Sequence, residues 1–96
     1  MSDLPPIRKE SGPAGGRYVV TVDGKDSELT YRVTGPSRIV ADHTGVPDAL
    51  RGRGIALELV KALVADAQAE GLTIVPACSY VRAQAKRHPE WSDVFV

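Results

Sequence analysis

Cysteine is almost absent from this sequence, in which Cys78 is the only one. A single cysteine excludes an internal disulfide and a four-cysteine zinc site, and we expect it to be a free thiol in a reducing compartment. The two histidines, His43 and His88, are far apart in the sequence and show no metal-ligand spacing with Cys78. The sequence therefore predicts no metal site.

An excess of either charge is also missing, because 12 basic and 12 acidic residues give a net charge of zero. Nucleic-acid-binding domains usually carry a basic excess, so we expect no nucleic-acid partner. No apolar run reaches the roughly 18 residues that a membrane span needs. The first ten residues, MSDLPPIRKE, lack the apolar core of a signal peptide. We therefore expect a cytoplasmic protein that does not associate with membranes.

The remaining composition is that of one small domain, since the chain has 96 residues and is 43% hydrophobic. Residues 1–16 hold three prolines, three glycines and two serines with little to bury. We predict a disordered N-terminal tail there and a folded domain over residues 17–96.

Three stretches of this domain alternate apolar and polar residues with the period of a β-strand. They run over residues 18–22, 29–33 and 38–43. Their inward positions are Tyr18, Val20, Val22, Leu29, Tyr31, Val33, Ile39 and Ala41. The short polar turns DGKDS and GPS join the stretches, which indicates an antiparallel meander.

The apolar period then changes to that of a helix over residues 54–70, which Gly71 ends as a C-cap. A short strand over residues 72–75, a second helix over 79–88 and a final edge strand over 90–96 follow. A strand, a helix and a strand in succession usually give parallel strands with a right-handed crossover. We therefore predict an α/β (α+β) fold with a mixed sheet and two helices.

The start of the longer helix carries the most informative motif, RGRGIA, from Arg51 to Ala56. The first amides of a helix have no intrahelical partner and lie at the positive end of the helix dipole. Glycine lets an anion approach the backbone, and arginine adds charge at the rim. The motif therefore predicts a phosphate site, and the alternative is an ordinary turn with solvated arginines. The motif is neither a P-loop, because lysine and a hydroxyl do not follow Gly54, nor a G-x-G-x-x-G fingerprint, because Leu57 takes the third glycine position.

This motif resembles the pyrophosphate motif of the GNAT N-acetyltransferase superfamily, Q/R-x-x-G-x-G/A, with Arg51, Gly54 and Ala56 at the defining positions. With the blocks HTGVPDALRGRGIA, IVPACSYV and RHPEW, the chain resembles a minimal GNAT-like branch of about a hundred residues over roughly residues 17–95. The resemblance implies a splayed sheet that binds acetyl-CoA. It places the pyrophosphate on the amides of residues 52–56, which are Gly52, Arg53, Gly54, Ile55 and Ala56, and the pantetheine on the backbone of Val46.

Cys78 and His43 are the candidate catalytic residues. Cys78 lies before the second helix, whose dipole favours a thiolate able to accept an acetyl group. Small members of the family carry a cysteine at the matching place. The alternative is that Cys78 is a small buried apolar residue. His43 ends the third strand beside the expected cofactor, and histidine is a common general base for deprotonating an amine. The alternative is a structural histidine that bonds to the loop at Thr44.

The second helix departs from larger GNAT enzymes, which often have a tyrosine in this helix as proton donor. Here it has no tyrosine beyond Tyr80 at its start, so Cys78 or a water becomes the candidate donor. Arg82 is a candidate ligand of the cofactor's ribose phosphate, and the alternative is a solvated basic stripe with Lys86.

The function that these observations predict is an acetyl-CoA-dependent N-acetyltransferase that transfers an acetyl group to an unidentified amine, either through Cys78 or assisted by it. The chain has no room for the helices that larger members place between their first two strands, which implies an open acceptor site. Two alternatives are a catalytically silent acyl-CoA-binding module and a phosphate- or nucleotide-binding adaptor.

Overall fold

The computed structural model of the chain describes residues 4–96, which form a five-stranded sheet with two α-helices. The strands are β1 (Arg8–Gly12), β2 (Gly15–Val22), β3 (Lys25–Gly35), β4 (Arg38–Gly45) and β5 (Thr73–Pro76). The helices are α1 (Ile55–Glu70) and α2 (Ser79–Arg87), and short 3-10 turns cover Asp48–Leu50 and Pro89–Trp91.

The strands lie in the sheet in their order along the chain, from β1 to β5. The first four pair antiparallel, because short turns join them. β5 pairs parallel with β4, because α1 carries the chain back across the sheet between them. The predicted mixed sheet with an antiparallel beginning and two helices is confirmed.

The N-terminal segment differs from the disordered tail predicted for residues 1–16. Residues 8–12 form β1, an exposed strand whose sequence RKESG has no apolar alternation and therefore gives no strand signal. It is held by backbone pairing with β2 and by ion pairs, including one of 2.7 Å between Arg17 and Glu10. The pairing requires glycine at residue 16, where a Cβ would lie 2.3 Å from the Glu10 carbonyl oxygen. Residues 1–3 of the predicted tail lie outside the described residues.

The core lies between one face of the sheet and α1. The helix buries six side chains on its inward face, namely Ile55, Leu59, Val60, Leu63, Val64 and Ala67. They pack against sheet residues such as Tyr18, Val20, Leu29 and Ile74. Gly71 ends α1 in the left-handed conformation with φ 70°, as the sequence predicts for a C-cap glycine. This packing fixes the N-terminus of α1 relative to the ends of β4 and β5.

The sequence predicts a final edge strand over residues 90–96. Within the described part of the chain, this C-terminal segment makes one isolated bridge to the sheet. Phe95 pairs parallel with Ile74 of β5, and the Ile74 amide donates to the Val94 carbonyl at 2.7 Å. The chain reaches this position through the 3-10 turn that begins at Pro89. A proline fixes its own φ and has no amide to donate, so it favours such a turn over a strand.

Candidate functional site

The site begins where β4 and β5 separate. Their last paired residues are Ala41 and Pro76. Beyond Ala41, β4 continues to Gly45 alongside β3, whereas β5 ends at Pro76 and the chain turns toward α2. The Cys78 amide still donates to the Ala41 carbonyl at 2.9 Å. The carboxyl ends of two parallel strands thus open a gap, and in open α/β sheets such gaps are where ligands bind.

A cavity of about 410 Å³ occupies this end of the molecule. It is lined by the end of β4, the loop before α1, the first turn of α1 and the first turn of α2. The lining residues are Thr44, Val46, Leu50, Arg51, Gly52, Gly54, Ile55, Ala56 and Tyr80. The structure therefore brings six of the predicted cofactor-binding residues around one cavity, whereas Arg53 and Arg82 are not among the described residues that line it.

The loop before α1 depends on two glycines in the left-handed region, Gly52 with φ 84° and Gly54 with φ 75°. A Cβ at either position would meet no atom of residues 4–96 within 4 Å. Glycine is therefore needed there for the backbone conformation, and the space beside it is open. An anion can approach the backbone closely only where the backbone has such a conformation and no side chain fills the adjacent space.

The N-terminus of α1 presents amides without a side-chain cap. The first bond in the helix runs from the Glu58 amide to the Gly54 carbonyl at 3.2 Å, so the amides of Ile55, Ala56 and Leu57 precede it. In the described part of the chain no side chain caps this end, because Gly54 occupies the N-cap position. Uncapped amides at a helix N-terminus are donors suited to a phosphate.

The two arginines of the loop pair with exposed carboxylates. Arg51 lies 3.1 Å from Asp48, and Arg53 lies 3.5 Å from Asp23 in the turn between β2 and β3. Exposed ion pairs of this kind contribute little because water and salt screen them. Both guanidinium groups can therefore exchange these partners for a bound phosphate at small cost.

Cys78 lies at the N-cap position of α2 and is half-buried. Its Sγ donates a hydrogen bond of 3.5 Å to Thr44 Oγ1 on β4. Burial opposes the charged form of the thiol, but Thr44 and the backbone amides of Val81 and Tyr80 outweigh it and lower the pKa of Cys78 below its ordinary value. The thiol at the point where β4 and β5 separate is therefore easier to deprotonate than an ordinary cysteine.

His43 lies on the other face of the sheet from this thiol. It pairs with Thr30 of β3, whereas the next residue, Thr44, pairs with the buried Leu29. Successive side chains of a strand point to opposite faces, so the His43 ring is directed away from the face that carries Thr44 and Cys78. The ring is exposed and lies beside Gly45, where a Cβ would be 3.1 Å from its Nε2. The structure does not bring His43 together with Cys78.

Arg82 is bonded to the connection between β5 and α2. Its guanidinium donates to the Pro76 carbonyl at 3.3 Å and to the Ala77 carbonyl at 3.2 Å. These bonds hold the two residues that precede Cys78.

Tyr80 is a site residue that sequence reasoning set aside. It is half-buried in the first turn of α2 and lines the cavity. Burial raises the pKa of its phenol, against the smaller lowering effects of Gln84 and Arg87. The feature of the sequence that points to Tyr80 as a site residue is its position two residues after Cys78.

Among residues 4–96, no group of three or more His, Cys, Asp or Glu side chains is placed to hold a metal ion. Neither α1 nor α2, the two α-helices of the described chain, combines the length and the apolar character needed to cross a membrane.

The mixed sheet, the separating parallel strands and the glycine-capped helix define the fold of GCN5-related N-acetyltransferases. The family model for the GCN5-related N-acetyl-transferase domain matches residues 17–94, and the chain belongs to this family. The predicted family is thereby confirmed.

Known proteins of similar sequence and structure agree with this assignment. Human NATD1 is 35% identical over 86 residues, which cover 88% of this chain and 76% of the human protein. NATD1 of Xenopus tropicalis is 39% identical over 85 residues, which cover 86% of this chain and 78% of that protein. A GCN5-like protein from Staphylococcus aureus, solved by NMR in solution, superimposes with a TM-score of 0.73 at 31% identity, covering 100% of this chain and 91% of that one.

Proposed function

We propose that this protein is an acetyl-CoA-dependent N-acetyltransferase that transfers an acetyl group to an amine. One observation carries the proposal: the uncapped, glycine-led N-terminus of α1 opens onto the cavity at the point where β4 and β5 separate. Membership of the family supports the reaction class, and this geometry supports a coenzyme site at the start of α1.

The residues present fit the diphosphate of coenzyme A. The space beside Gly52 and Gly54 is open, and the amides of the first turn of α1 adjoin it. Arg51 lines the same cavity. Val46, which follows the last residue of β4 paired with β3, lines the cavity between this loop and the strand end. We therefore keep its backbone as the candidate partner of the pantetheine arm.

The reaction forms a bond between the acceptor nitrogen and the acetyl carbon and breaks the thioester bond between that carbon and sulfur. The departing sulfur takes up a proton, and the acceptor amine releases one. Acetyl-CoA supplies the activated acetyl group. Tyr80 is our candidate for the proton donor, because it lines the cavity and a tyrosine phenol carries its proton at neutral pH.

Cys78 is our candidate for a nucleophile that accepts the acetyl group before the amine does. In that route the Cys78 sulfur forms a thioester with the acetyl carbon as the coenzyme A sulfur leaves, and the amine nitrogen then breaks this thioester and returns the Cys78 thiolate. The lowered pKa of Cys78 favours the thiolate, which is the reactive form in nucleophilic catalysis and a poorer proton donor than a thiol. We therefore prefer this role to that of a proton donor.

The acceptor side of the site is open. β2 and β3 are joined by the two residues Asp23 and Gly24 alone, so no helix stands between these strands. An open site suits a long or large amine such as a protein N-terminus, a lysine side chain or a polyamine.

Two matched glycine variants test the coenzyme site. Gly54→Ala and Gly71→Ala each place a Cβ on a left-handed residue with open space around it, one at each end of α1. We expect each to destabilise the fold by about 1 kcal/mol. Only Gly54→Ala should weaken coenzyme A binding, by about tenfold or more, because its methyl group stands where the phosphate approaches. Titration calorimetry with coenzyme A and acetyl-CoA measures this.

Each result has a defined meaning. Absence of binding by the wild type at millimolar coenzyme A would sink the proposal. An equal loss of affinity in both variants would show that the loop before α1 is not the binding site. Binding without release of coenzyme A thiol, on a panel of peptides with free N-termini, lysine peptides and polyamines, would support a silent acyl-CoA-binding module instead.

A further inference from the structure

We infer that Thr44 is a positioning residue for Cys78, whose sulfur its hydroxyl holds beside the cavity. This inference rests on the function proposed above. Thr44 Oγ1 lies 3.5 Å from Cys78 Sγ, and Thr44 itself lines the cavity, whereas Cys78 is not among the described residues that line it. The hydroxyl therefore connects the sulfur to the space assigned to acetyl-CoA.

The fold places Thr44 there through an irregularity in β4. Tyr31 of β3 pairs with Ala41, but Thr30 pairs with His43, so Asp42 is an extra residue in β4. Such a bulge shifts the alternation of the side chains beyond it. Thr44 consequently shares the buried face with Leu29, whereas His43 is turned away.

Cys78 is attached to β4 at two points. Its amide donates to the Ala41 carbonyl at 2.9 Å, and its side chain bonds to Thr44, three residues further along the same strand. The backbone bond fixes the position of the Cys78 main chain, and the bond to Thr44 restrains the side-chain rotamer. Without the bond to Thr44, the side chain could rotate about its Cα–Cβ bond between rotamers.

The hydroxyl also contributes to the charge state of the sulfur. In the neutral form the thiol donates to Thr44 Oγ1, and in the thiolate form the hydroxyl donates back to the sulfur. Burial disfavours the thiolate, and hydrogen bonds to a charged group are the stronger kind. Loss of the hydroxyl should therefore raise the pKa of Cys78.

The titratable or charged residues that adjoin Cys78 and Thr44 in the sequence are Tyr80 and Arg82 on α2 and Asp42 and the outward-facing His43 on β4. They stay unchanged when Thr44 alone is replaced. A pair of substitutions separates the hydroxyl from the bulk of the side chain. Thr44→Val keeps the shape and removes the hydroxyl, whereas Thr44→Ser keeps the hydroxyl and removes the methyl group.

The test is the pH dependence of alkylation of Cys78 by iodoacetamide, measured without coenzyme A. Cys78 is the only cysteine, so the rate reports on one sulfur. The wild-type rate should rise at a lower pH than that of an ordinary thiol, whose pKa is about 8.5. Thr44→Val should shift the rise to higher pH and slow alkylation at pH 7 roughly three- to tenfold, and Thr44→Ser should follow the wild type.

A purely structural role predicts the reverse order, with Thr44→Ser altered by its lost methyl group and Thr44→Val unchanged. That result, in variants with intact circular dichroism, would overturn the inference. Thr44→Ala replaces Thr44→Val if the latter does not fold. Failure of the proposed function is seen separately, as absence of coenzyme A binding by the wild type. If the wild type binds coenzyme A and Thr44→Val alkylates as the wild type does, the inference alone is wrong.

Discussion

Ser27 carries a buried hydroxyl oxygen that has no hydrogen bond within the described part of the chain. Its side chain is fully buried on β3 opposite Val20, and within residues 4–96 no hydrogen-bond partner reaches its Oγ. A buried hydroxyl that has left water without gaining a partner destabilises the folded state.

Replacing Ser27 by alanine should therefore stabilise the protein, by about 1 kcal/mol, because the desolvation cost disappears with the hydroxyl. Urea unfolding followed by circular dichroism measures the change. The exposed Ser37 serves as control, and Ser37→Ala should stay within about 0.5 kcal/mol of the wild type. A loss of stability in Ser27→Ala would show that the hydroxyl has a partner after all.

At the scale of residues, the sequence predicted the backbone features of the site better than its side chains. Gly54 and Gly71 follow from the chemistry of helix ends, and Cys78 follows from its place before α2. The sequence does not predict which faces of the sheet the His43 and Thr44 side chains occupy, because simple alternation from Ile39 and Ala41 would turn His43 inward. The bulge at Asp42 reverses this, and it depends on pairing with β3, which no local pattern encodes.

At the scale of elements, a polar cluster attaches β1, through Lys9, and β2, through Tyr18, to α1. The Tyr18 hydroxyl donates to Asp66 Oδ2 at 2.7 Å, and Lys9 Nζ lies 3.3 Å from the same oxygen and 3.7 Å from Glu70. These contacts join residues far apart in the sequence. The side chains of β1 are exposed and mostly charged, so its own sequence resembles that of a polar tail. The sequence of α1, in contrast, contains both its helical period and the glycines at its two ends.

Tyr18→Phe tests this attachment. Removing the hydroxyl should cost about 1 kcal/mol at pH 8, because a hydrogen bond to a carboxylate is lost while Asp66 keeps Lys9 as a partner. Burial, and then the bond to Asp66, raise the pKa of Tyr18. The folded protein therefore keeps a proton that the unfolded chain releases near pH 10, so this contribution is complete below about pH 10 and declines above it.

The phenylalanine variant has no such proton, so its difference in unfolding free energy from the wild type should stay constant from pH 8 to about pH 10 and narrow above about pH 10. Urea unfolding at several pH values measures it. Lys9, Tyr31 and Glu70 also face Tyr18 and remain in both proteins. For Lys9, burial lowers the pKa but Asp66 outweighs it, so its pKa is raised and its contribution declines in the same alkaline range in both. A difference that stays constant with pH would contradict this account.

At the scale of the whole molecule, the proposed coenzyme site is continuous with the core. Ile55 belongs both to the first turn of α1 at the cavity and to the buried cluster. Arg53 also links the loop to the turn between β2 and β3. A ligand at this loop should therefore stabilise the entire domain, since small single domains usually unfold as one cooperative unit.

The expected size of this stabilisation follows from mass action. Coenzyme A at 100 times its Kd adds about 2.7 kcal/mol if it binds only the folded state. For a domain of about 100 residues, this corresponds to a rise in Tm on the order of 10 °C or more. Differential scanning calorimetry over a series of coenzyme A concentrations measures this rise in Tm.

Gly71→Ala should start from a lower Tm and show the full rise, whereas Gly54→Ala should need about tenfold more ligand for the same rise. Because the chain has no net charge, added salt should weaken the rise only through the local contacts of the arginines with phosphate. A Tm that does not move at concentrations where calorimetric titration shows saturation would mean that the loop and the core unfold separately.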